Sequence, residues 1–260
     1  MLLQDKVSII SGIGPGLGQE LAYTFAREGS HVVLAARTQS KLQEVESNIK
    51  RDWPAVQTLV CPTDISDDVQ TAQLVEATVA EFGRIDVLVN SAYVPPPFAL
   101  FEAADLNDWR AALDTTVFGT LQLTQQVVPV MRRAGRGSIV FVNSMIQKKP
   151  LPAQAGYAIE KGALAIAARM LAKELGPYGI RVNSTYMGWM WGPPVESYVD
   201  GAVASGRSRE DVIAEITRDI PLGFIPDDAD CANAVAFLAS DLAKVITGAE
   251  LNVNGGEVML

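Results

Sequence analysis

Short apolar runs rich in β-branched residues alternate with longer segments of helical periodicity along the whole chain. Runs of the first kind predict strands because they suit a sheet that is buried on both faces. The predicted strands cover residues 7–11, 31–36, 56–61, 87–90, 138–143, 181–186 and 249–254. Apolar residues at a spacing of three and four predict helices between them. The predicted helices cover residues 19–28, 40–50, 70–82, 107–131 and 157–175.

A glycine-rich turn joins the first strand to the first helix, in the order Gly12-Ile-Gly-Pro-Gly16-Leu17-Gly18. Glycine allows the backbone to come close to a pyrophosphate, and the N-terminus of the following helix attracts its negative charge. The second strand follows at the spacing of a βαβ unit, which favours a dinucleotide site over an ordinary tight turn. The elements together predict an α/β fold: a Rossmann-type, doubly wound, seven-stranded parallel sheet with helices on both faces.

The end of the second strand bears on which dinucleotide binds. A carboxylate there would hold the free ribose hydroxyls of NAD, whereas an arginine accommodates the additional phosphate of NADP. The sequence has Arg37 at this place and no carboxylate. We therefore expect NADP(H), with NAD(H) as the alternative and a solvated strand-end charge as the other interpretation of Arg37. Asp64, after the third strand, could hydrogen-bond an adenine amine or cap the next helix.

A tyrosine and a lysine, Tyr157 and Lys161, are four residues apart on a predicted helix and therefore share one face. A nearby ammonium favours a phenolate, so this pair suits proton transfer to or from a ligand. Ser144 ends the fifth strand and could direct its hydroxyl to the same place. The pattern is weak alone, since Tyr-x-x-x-Lys also occurs by chance on surface helices.

Composition limits the classes of function. The chain has 260 residues and a net charge of −9, and 48% of its residues are apolar. The acidic balance argues against a nucleic-acid or membrane-surface partner. Cys61 and Cys231 are expected to be buried free thiols and no metal is expected. With no long apolar run and no signal peptide at its start, we expect one cytoplasmic domain over residues 1–260.

The chain resembles the short-chain dehydrogenase/reductase family along essentially its whole length, because several motifs coincide in order and spacing. The resemblance implies catalytic roles for Ser144, Tyr157 and Lys161, with Lys161 lowering the pKa of Tyr157 and holding the nicotinamide ribose. Asn90-Ser-Ala92-Tyr and Asn254-Gly-Gly are similar to two further family motifs. The cofactor-binding residues that the resemblance and the residue patterns imply are Ser11, Gly12, Gly16, Leu17, Gly18, Arg37, Asp64, Ile65, Asn90, Ala92, Tyr157, Lys161 and Gly188.

Two family motifs are altered. Thr116 stands where the family has an asparagine that holds a water behind the catalytic lysine. Its hydroxyl can still bond backbone or water, so we expect an altered relay that includes Thr116. In Met187-Gly188-Trp-Met-Trp-Gly192, the family's proline and its threonine near the nicotinamide amide are both missing.

A long insertion at residues 188–220 is expected to form a lid over the site. The residues expected to face the substrate are apolar or aromatic: Tyr93, Phe98, Met145, Ile146, Tyr186, Trp189 and Trp191. They predict a small-molecule partner, a hydrophobic secondary alcohol or ketone, including cyclic or steroid-like ones. Packing of the tryptophans against the body is the other interpretation.

The resemblance predicts an NAD(P)-dependent oxidoreductase acting on CH–OH groups. A dinucleotide-binding protein with weak catalysis, acting in regulation or redox sensing, is the alternative, and the changes at Thr116, Met187 and Gly192 would suit it. The alanine-rich face of the helix at residues 157–175 invites close helix packing, and family members often pair through it. We therefore expect a homotetramer.

Overall fold

A computed structural model describes residues 1–259. Its centre is a parallel sheet of seven strands in the order β3-β2-β1-β4-β5-β6-β7. The strands are β1 Val7–Ser11, β2 His31–Ala36, β3 Thr58–Pro62, β4 Val87–Asn90, β5 Gly137–Ser144, β6 Ile180–Met187 and β7 Glu250–Val253. This arrangement confirms the predicted doubly wound sheet, with strand ends that differ by one or two residues from the predicted ones.

Helices cover both faces of this sheet. They are α1 Leu17–Arg27, α2 Gln39–Asp52, α3 Asp68–Phe82, α4 Leu106–Leu113, α5 Thr120–Ala134, α6 Ala155–Leu175, α7 Pro193–Ala204, α8 Arg209–Thr217 and α9 Asp228–Ala239. The sequence pattern did not predict α9, which packs on α1. Its many alanines give little contrast between an apolar and a polar face.

Successive strand residues point to opposite faces and divide the apolar core in two. On β1, Ile10 packs among side chains of α1, α2 and α9, whereas Ile9 packs among side chains of α3, α5 and α6. Both are fully buried. Burial of each strand on two faces explains why the strands are continuous apolar runs in the sequence.

The helix predicted at residues 107–131 is interrupted. Between α4 and α5, residues Asp114–Gly119 form a π-helical segment. Such segments occur frequently at functional sites because they insert an extra residue and redirect side chains. At its end Gly119 lies against Ile65, since a Cβ on Gly119 would stand 2.6 Å from the Ile65 carbonyl oxygen. The apolar spacing is helical throughout, so the pattern could not reveal this change.

The segment at residues 188–220 contains α7 and α8, which pack on each other. It has an apolar cluster of its own, formed by Val195, Val199, Val212, Ile216 and Ile220. Across residues 1–259, every helix is too short or too polar to cross a lipid bilayer.

Candidate active site

A cavity of about 690 Å³ opens at the carboxyl ends of the strands. The chain runs from β1 to β2 on one side of the sheet and from β4 outward on the other. Parallel α/β sheets bind ligands at such a reversal, because the loops on either side of it diverge and leave a crevice. The glycine turn lines the cavity, and residues 188–198 contribute to the wall beside it, where Pro193 adjoins Gly16.

The glycine turn packs tightly against the end of β4. Gly12 has φ +90°, and a Cβ there would stand 2.5 Å from Cα of Ala92. At Gly14, by contrast, a Cβ would meet nothing within 4 Å, so this residue faces open space in the cavity wall. The N-cap of α1 is Gly16, and no side chain accepts a hydrogen bond there. The Gln19 amide donates to the Gly14 carbonyl oxygen, whereas the amides of Leu17 and Gly18 at the start of α1 are available to an anion, so the turn fits a dinucleotide pyrophosphate.

Two cationic side chains line the cavity after the end of β2. Arg37 follows β2 and lines the cavity with Lys41, which lies in the first turn of α2. Lys41 was not predicted, although its place in the first turn of the helix that follows Arg37 was the available signal. Asp64 also lines the cavity, but it does not cap α3, because Asp67 is the N-cap. Its carboxylate accepts hydrogen bonds from Ser66, which lower its pKa.

Ser144, Tyr157 and Lys161 line one region of the cavity. Ser144 ends β5, and its Oγ accepts a hydrogen bond from the Ile146 amide at 3.2 Å. Tyr157 and Lys161 lie on α6, and a hydrogen bond joins the Tyr157 phenol to Ser144. The Lys161 ammonium donates to the Val142 carbonyl oxygen at 3.0 Å. The structure therefore brings a hydroxyl, a phenol and an amine from two elements to one wall.

Burial dominates the electrostatics of this group. It raises the pKa of Tyr157 above its usual value, while the hydrogen bond from Ser144 acts in the opposite direction. It also lowers the pKa of Lys161 to about 8, against the field of Glu160. Lys161 is not among the groups that shift the pKa of Tyr157, so the predicted lowering of that pKa by Lys161 stays a prediction. The upward shift follows from desolvation, which disfavours the charged phenolate.

Glu160 is a further titratable group that the sequence analysis missed. It is fully buried on α6 beside Lys161. Burial raises its pKa to about 7, while Lys161 and the Thr116 hydroxyl favour its ionised form. Thr116 lies in the π-helical segment and accepts a hydrogen bond from the Val94 amide at 3.0 Å. Thr116 thus stands behind the cavity wall, between the Tyr93 loop and Glu160, and its part in a relay stays a prediction.

Comparison with known proteins now decides the family. The sequence profile of a family described as enoyl-(acyl carrier protein) reductase matches residues 12–257. The 3-oxoacyl-(acyl-carrier-protein) reductase FabG of Staphylococcus epidermidis is 30% identical over 256 residues, covering 98% of this chain and 100% of its own. The chain belongs to the short-chain dehydrogenase/reductase family. The short-chain reductase NovJ of Streptomyces niveus is 33% identical over 257 residues, covering 97% of this chain and 94% of its own.

Solved structures of this family agree with the fold. Levodione reductase has 27% identity and a TM-score of 0.91, covering 98% of both chains. L-Sorbose reductase from Gluconobacter frateurii, complexed with NADPH and L-sorbose, has 27% identity and a TM-score of 0.92 and covers all of both chains. Xylitol dehydrogenase bound to NAD⁺ has 26% identity and a TM-score of 0.90, covering 98% of this chain and 100% of that one.

These similarities show that the chain is an NAD(P)-dependent oxidoreductase that acts on CH–OH groups. Its neighbours include proteins bound to either dinucleotide, so they leave the preferred cofactor undecided. They give no support to the alternative of a regulatory or redox-sensing protein.

Most residues expected from the family pattern line the cavity, but two of the predicted cofactor residues lie behind it. The Ser11 hydroxyl donates to the Val89 carbonyl oxygen, and the Asn90 amide donates to Thr124 at 3.0 Å. Both side chains are buried. The predicted cofactor and catalytic residues in the wall are Gly12, Gly16, Leu17, Gly18, Arg37, Asp64, Ile65, Ala92, Ser144, Tyr157, Lys161 and Gly188.

Two aromatic residues that we expected in the substrate pocket are outside it. The Trp191 amide is held by the Pro226 carbonyl oxygen at 2.8 Å, and its ring packs within the cluster of residues 188–220 under Arg209. Trp191 therefore packs inside the segment, which differs both from a place in the pocket and from the other interpretation, in which it packs against the body. Tyr186 is buried with its hydroxyl bonded to Glu250, while its neighbour Met187 lines the cavity.

The remaining expected pocket residues do line the cavity, namely Tyr93, Phe98, Met145, Ile146 and Trp189. The rings of Tyr93 and Phe98 lie 6.2 Å and 6.4 Å from that of Tyr157. The sequence analysis missed Leu151, Gln154, Val195 and Tyr198 in the same wall, and also Lys149. Lys149 bonds to Asp219 and Glu257 at 2.8 Å each, so two carboxylates compensate its charge.

The family's threonine is missing at Gly192, and a polar side chain from another element lies in its place. The Asp228 carboxylate fills the space that a side chain of residue 192 would need. Asp228 itself lines the cavity. A polar group therefore still faces this part of the site, from the start of α9 instead of the loop after β6.

Proposed function

We propose that this chain is an NADP(H)-dependent reductase of hydrophobic ketones, including cyclic or steroid-like ones. The observation that carries the proposal is the placement of Ser144, Tyr157 and Lys161 in one wall of a cavity that also contains the glycine turn. The bound nicotinamide supplies or accepts the hydride. The residues of the chain bind and orient the substrate and move the proton.

In this proposal the Tyr157 phenol donates a proton to the carbonyl oxygen of the substrate. A phenol is protonated at neutral pH, as a proton donor must be, and burial holds Tyr157 in this form until a ligand binds. Ser144 accepts from the Ile146 amide, and when a substrate is bound its hydroxyl hydrogen turns from the Tyr157 phenol to the same carbonyl oxygen as negative charge develops there. Lys161 holds the cofactor ribose from the buried side of Tyr157.

The preference for NADP(H) rests on Arg37 and Lys41. Both are exposed side chains at the rim of the cavity, on the side of β2 where a ribose 2′-phosphate is recognised in such folds. No carboxylate occupies the strand end, where Ala36 is followed directly by Arg37. Two cations suit a phosphate with two negative charges better than a pair of neutral hydroxyls.

The substrate class rests on the wall around Tyr157. Tyr93, Phe98 and Trp189 present aromatic surface, and Met145 and Ile146 add aliphatic surface. Apart from Lys161, which holds the cofactor in this proposal, the wall contains the cation Lys149, and its ion pairs with Asp219 and Glu257 leave it poorly suited to bind a substrate carboxylate. A neutral substrate with a large apolar surface fits this combination.

We further propose that the chain works as one domain over residues 1–260 and that residues 188–220 act as its lid. Within that segment Trp189 and Tyr198 line the cavity, and their tilted rings lie 5.7 Å apart between centres. A cytoplasmic location suits the reduced state of Cys61 and Cys231, which are both free thiols.

We propose a homotetramer on the basis of one face of α6. Ile159, Ile166 and Met170 are about half exposed and recur at helical spacing on this face. Large apolar side chains left in water on one helix face mark a surface for another chain.

The proposal is tested by comparing the parent protein with Tyr157→Phe and Tyr93→Phe on a panel of cyclic ketones. NADPH oxidation is followed by absorbance, and NADPH affinity by fluorescence. Tyr157→Phe removes the proton donor, so turnover should fall by about 10² to 10⁴ while NADPH still binds. Tyr93→Phe makes the same chemical change in the same cavity and should retain most of the activity.

Two results would contradict the proposal. One is equal turnover by the parent protein and Tyr157→Phe. The other is NADPH binding with no turnover of any carbonyl or alcohol, which would favour a binding protein without catalysis.

A further inference from the structure

Asp228 is a buried carboxylate that the catalytic scheme does not use. It is the first residue of α9, is 8% exposed and lines the cavity. Its Oδ2 atom lies 2.9 Å from the position that a Cβ of Gly16 would take, and closer still to that of Gly192. The carboxylate thus stands between the N-cap of α1 and the loop that begins the segment at residues 188–220.

The surroundings of Asp228 are acidic on every side that packs against it. Glu20 belongs to the first turn of α1, Glu196 to the first turn of α7, and Asp227 is the N-cap of α9. Their fields and burial raise the pKa of Asp228 to about 6, with burial as the larger cause. Tyr93 and Cys231 are two further titratable groups near it: burial raises the pKa of both, and the charge of Asp228 raises it further.

The N-terminus of α1 is also where a pyrophosphate would bind, because the turn from Gly12 to Gly18 leaves helix N–H groups open to the cavity. We propose that Asp228 makes dinucleotide binding dependent on pH, because its carboxyl group shares this end of α1 with the cofactor. This proposal rests on the proposed dinucleotide site. Ionised Asp228 repels the phosphates, whereas protonated Asp228 donates a hydrogen bond to the bound cofactor.

The sign of the effect follows from proton linkage. A bound dianion near Asp228 raises its pKa further, so binding takes up a proton between the pKa of the free protein and that of the complex. Affinity is therefore highest below about pH 6 and falls as the pH rises through that interval. Two unit charges a few ångströms apart in a partly buried site interact strongly enough for at least about a tenfold change in Kd.

The test measures ADP-ribose binding by titration calorimetry between about pH 5.5 and pH 8, a range in which this probe has no titrating group of its own. The dissociation constant of the parent protein should rise by about tenfold or more across this range. Asp228→Asn has the same shape without the charge and should bind tightly at every pH. Asp230→Asn is the matched control, since it removes an exposed charge from the same helix and should retain the parent pH dependence.

A second measurement uses the unaltered protein, so it does not depend on the variant folding. Near pH 7, calorimetry in buffers of different ionisation enthalpy should show proton uptake on binding. A pH-independent affinity, the absence of proton uptake, or a parent-like pH profile in Asp228→Asn would overturn the role of Asp228 alone. Failure of ADP-ribose to bind at any pH would overturn the dinucleotide site as well.

Discussion

The packing of Gly12 against the end of β4 leads to a prediction for Gly12→Ala. Gly12 has φ +90°, a conformation that alanine adopts at a cost of about 1–2 kcal/mol. Its new methyl group would also stand 2.5 Å from Cα of Ala92 and 2.7 Å from the Ser91 carbonyl carbon. Both contacts are with backbone, so relief requires β4 and the turn to move apart, at a typical overpacking cost of about 1–3 kcal/mol.

Together these effects should lower the free energy of unfolding by about 2–5 kcal/mol, a large part of the total stability of a domain. The measurement is urea unfolding followed by circular dichroism. Gly14→Ala is the matched control, because it adds the same methyl group in the same turn but meets nothing within 4 Å. Its stability should stay within about 0.5 kcal/mol of the parent.

Gly12→Ala should also weaken ADP-ribose binding, because Ala92 and Tyr93 line the cavity and would move with the end of β4. The reasoning would be refuted if Gly12→Ala and Gly14→Ala had the same unfolding midpoint. It would be refuted as well if Gly12→Ala were destabilised yet bound ADP-ribose as tightly as the parent, since the collision involves the cavity wall itself.

Three further predictions concern charge and assembly. Arg37→Ala and Lys41→Ala should each weaken NADPH binding by about tenfold or more, because each loses a charged hydrogen bond, and should leave NADH binding nearly unchanged. Equal losses of affinity for both dinucleotides would contradict a role in binding the 2′-phosphate. Glu160 has a pKa of about 7 in the folded protein against 4.5 as its ordinary value, so its burial costs stability as the pH rises through this interval. In urea unfolding, the free energy of unfolding of Glu160→Gln should therefore exceed that of the parent by up to about 3 kcal/mol at pH 8 and by little at pH 4.5. An equal increase at both pH values would refute the raised pKa of Glu160. Light scattering should show a tetramer, and Ile166→Glu with Met170→Glu should dissociate it, whereas a monomeric parent protein would exclude the α6 interface.

The candidate site divides into residues that the sequence reveals and residues that it does not. Tyr157 and Lys161 are revealed because they lie one helical turn apart. Arg37 is revealed because it directly follows a strand. Asp228 was not predicted because no motif near it in the sequence indicates a functional residue. It reaches the cavity only because α9 packs on α1 and points its N-terminus at Gly16 and Gly192.

Among the expected pocket residues, Trp189 and Trp191 show the same limit. They have the same chemistry and nearly the same place in the chain, yet one lines the cavity and the other packs beneath Arg209. At Trp191 the backbone amide donates to the carbonyl oxygen of Pro226, a residue distant in the sequence. Composition alone could not separate the two.

The sequence by itself determined the parallel sheet, the glycine turn and the Ser144, Tyr157 and Lys161 set, because periodicity and short spacings act within one or two elements. Tertiary structure decided the protonation of that set. Tyr157 has a raised pKa and Lys161 a lowered one because packing removes both from water, which disfavours the charged form of each. The tertiary structure also places Asp228 beside Gly16 and Glu160 beside Thr116, because burial and long-range contacts depend on how the elements pack together.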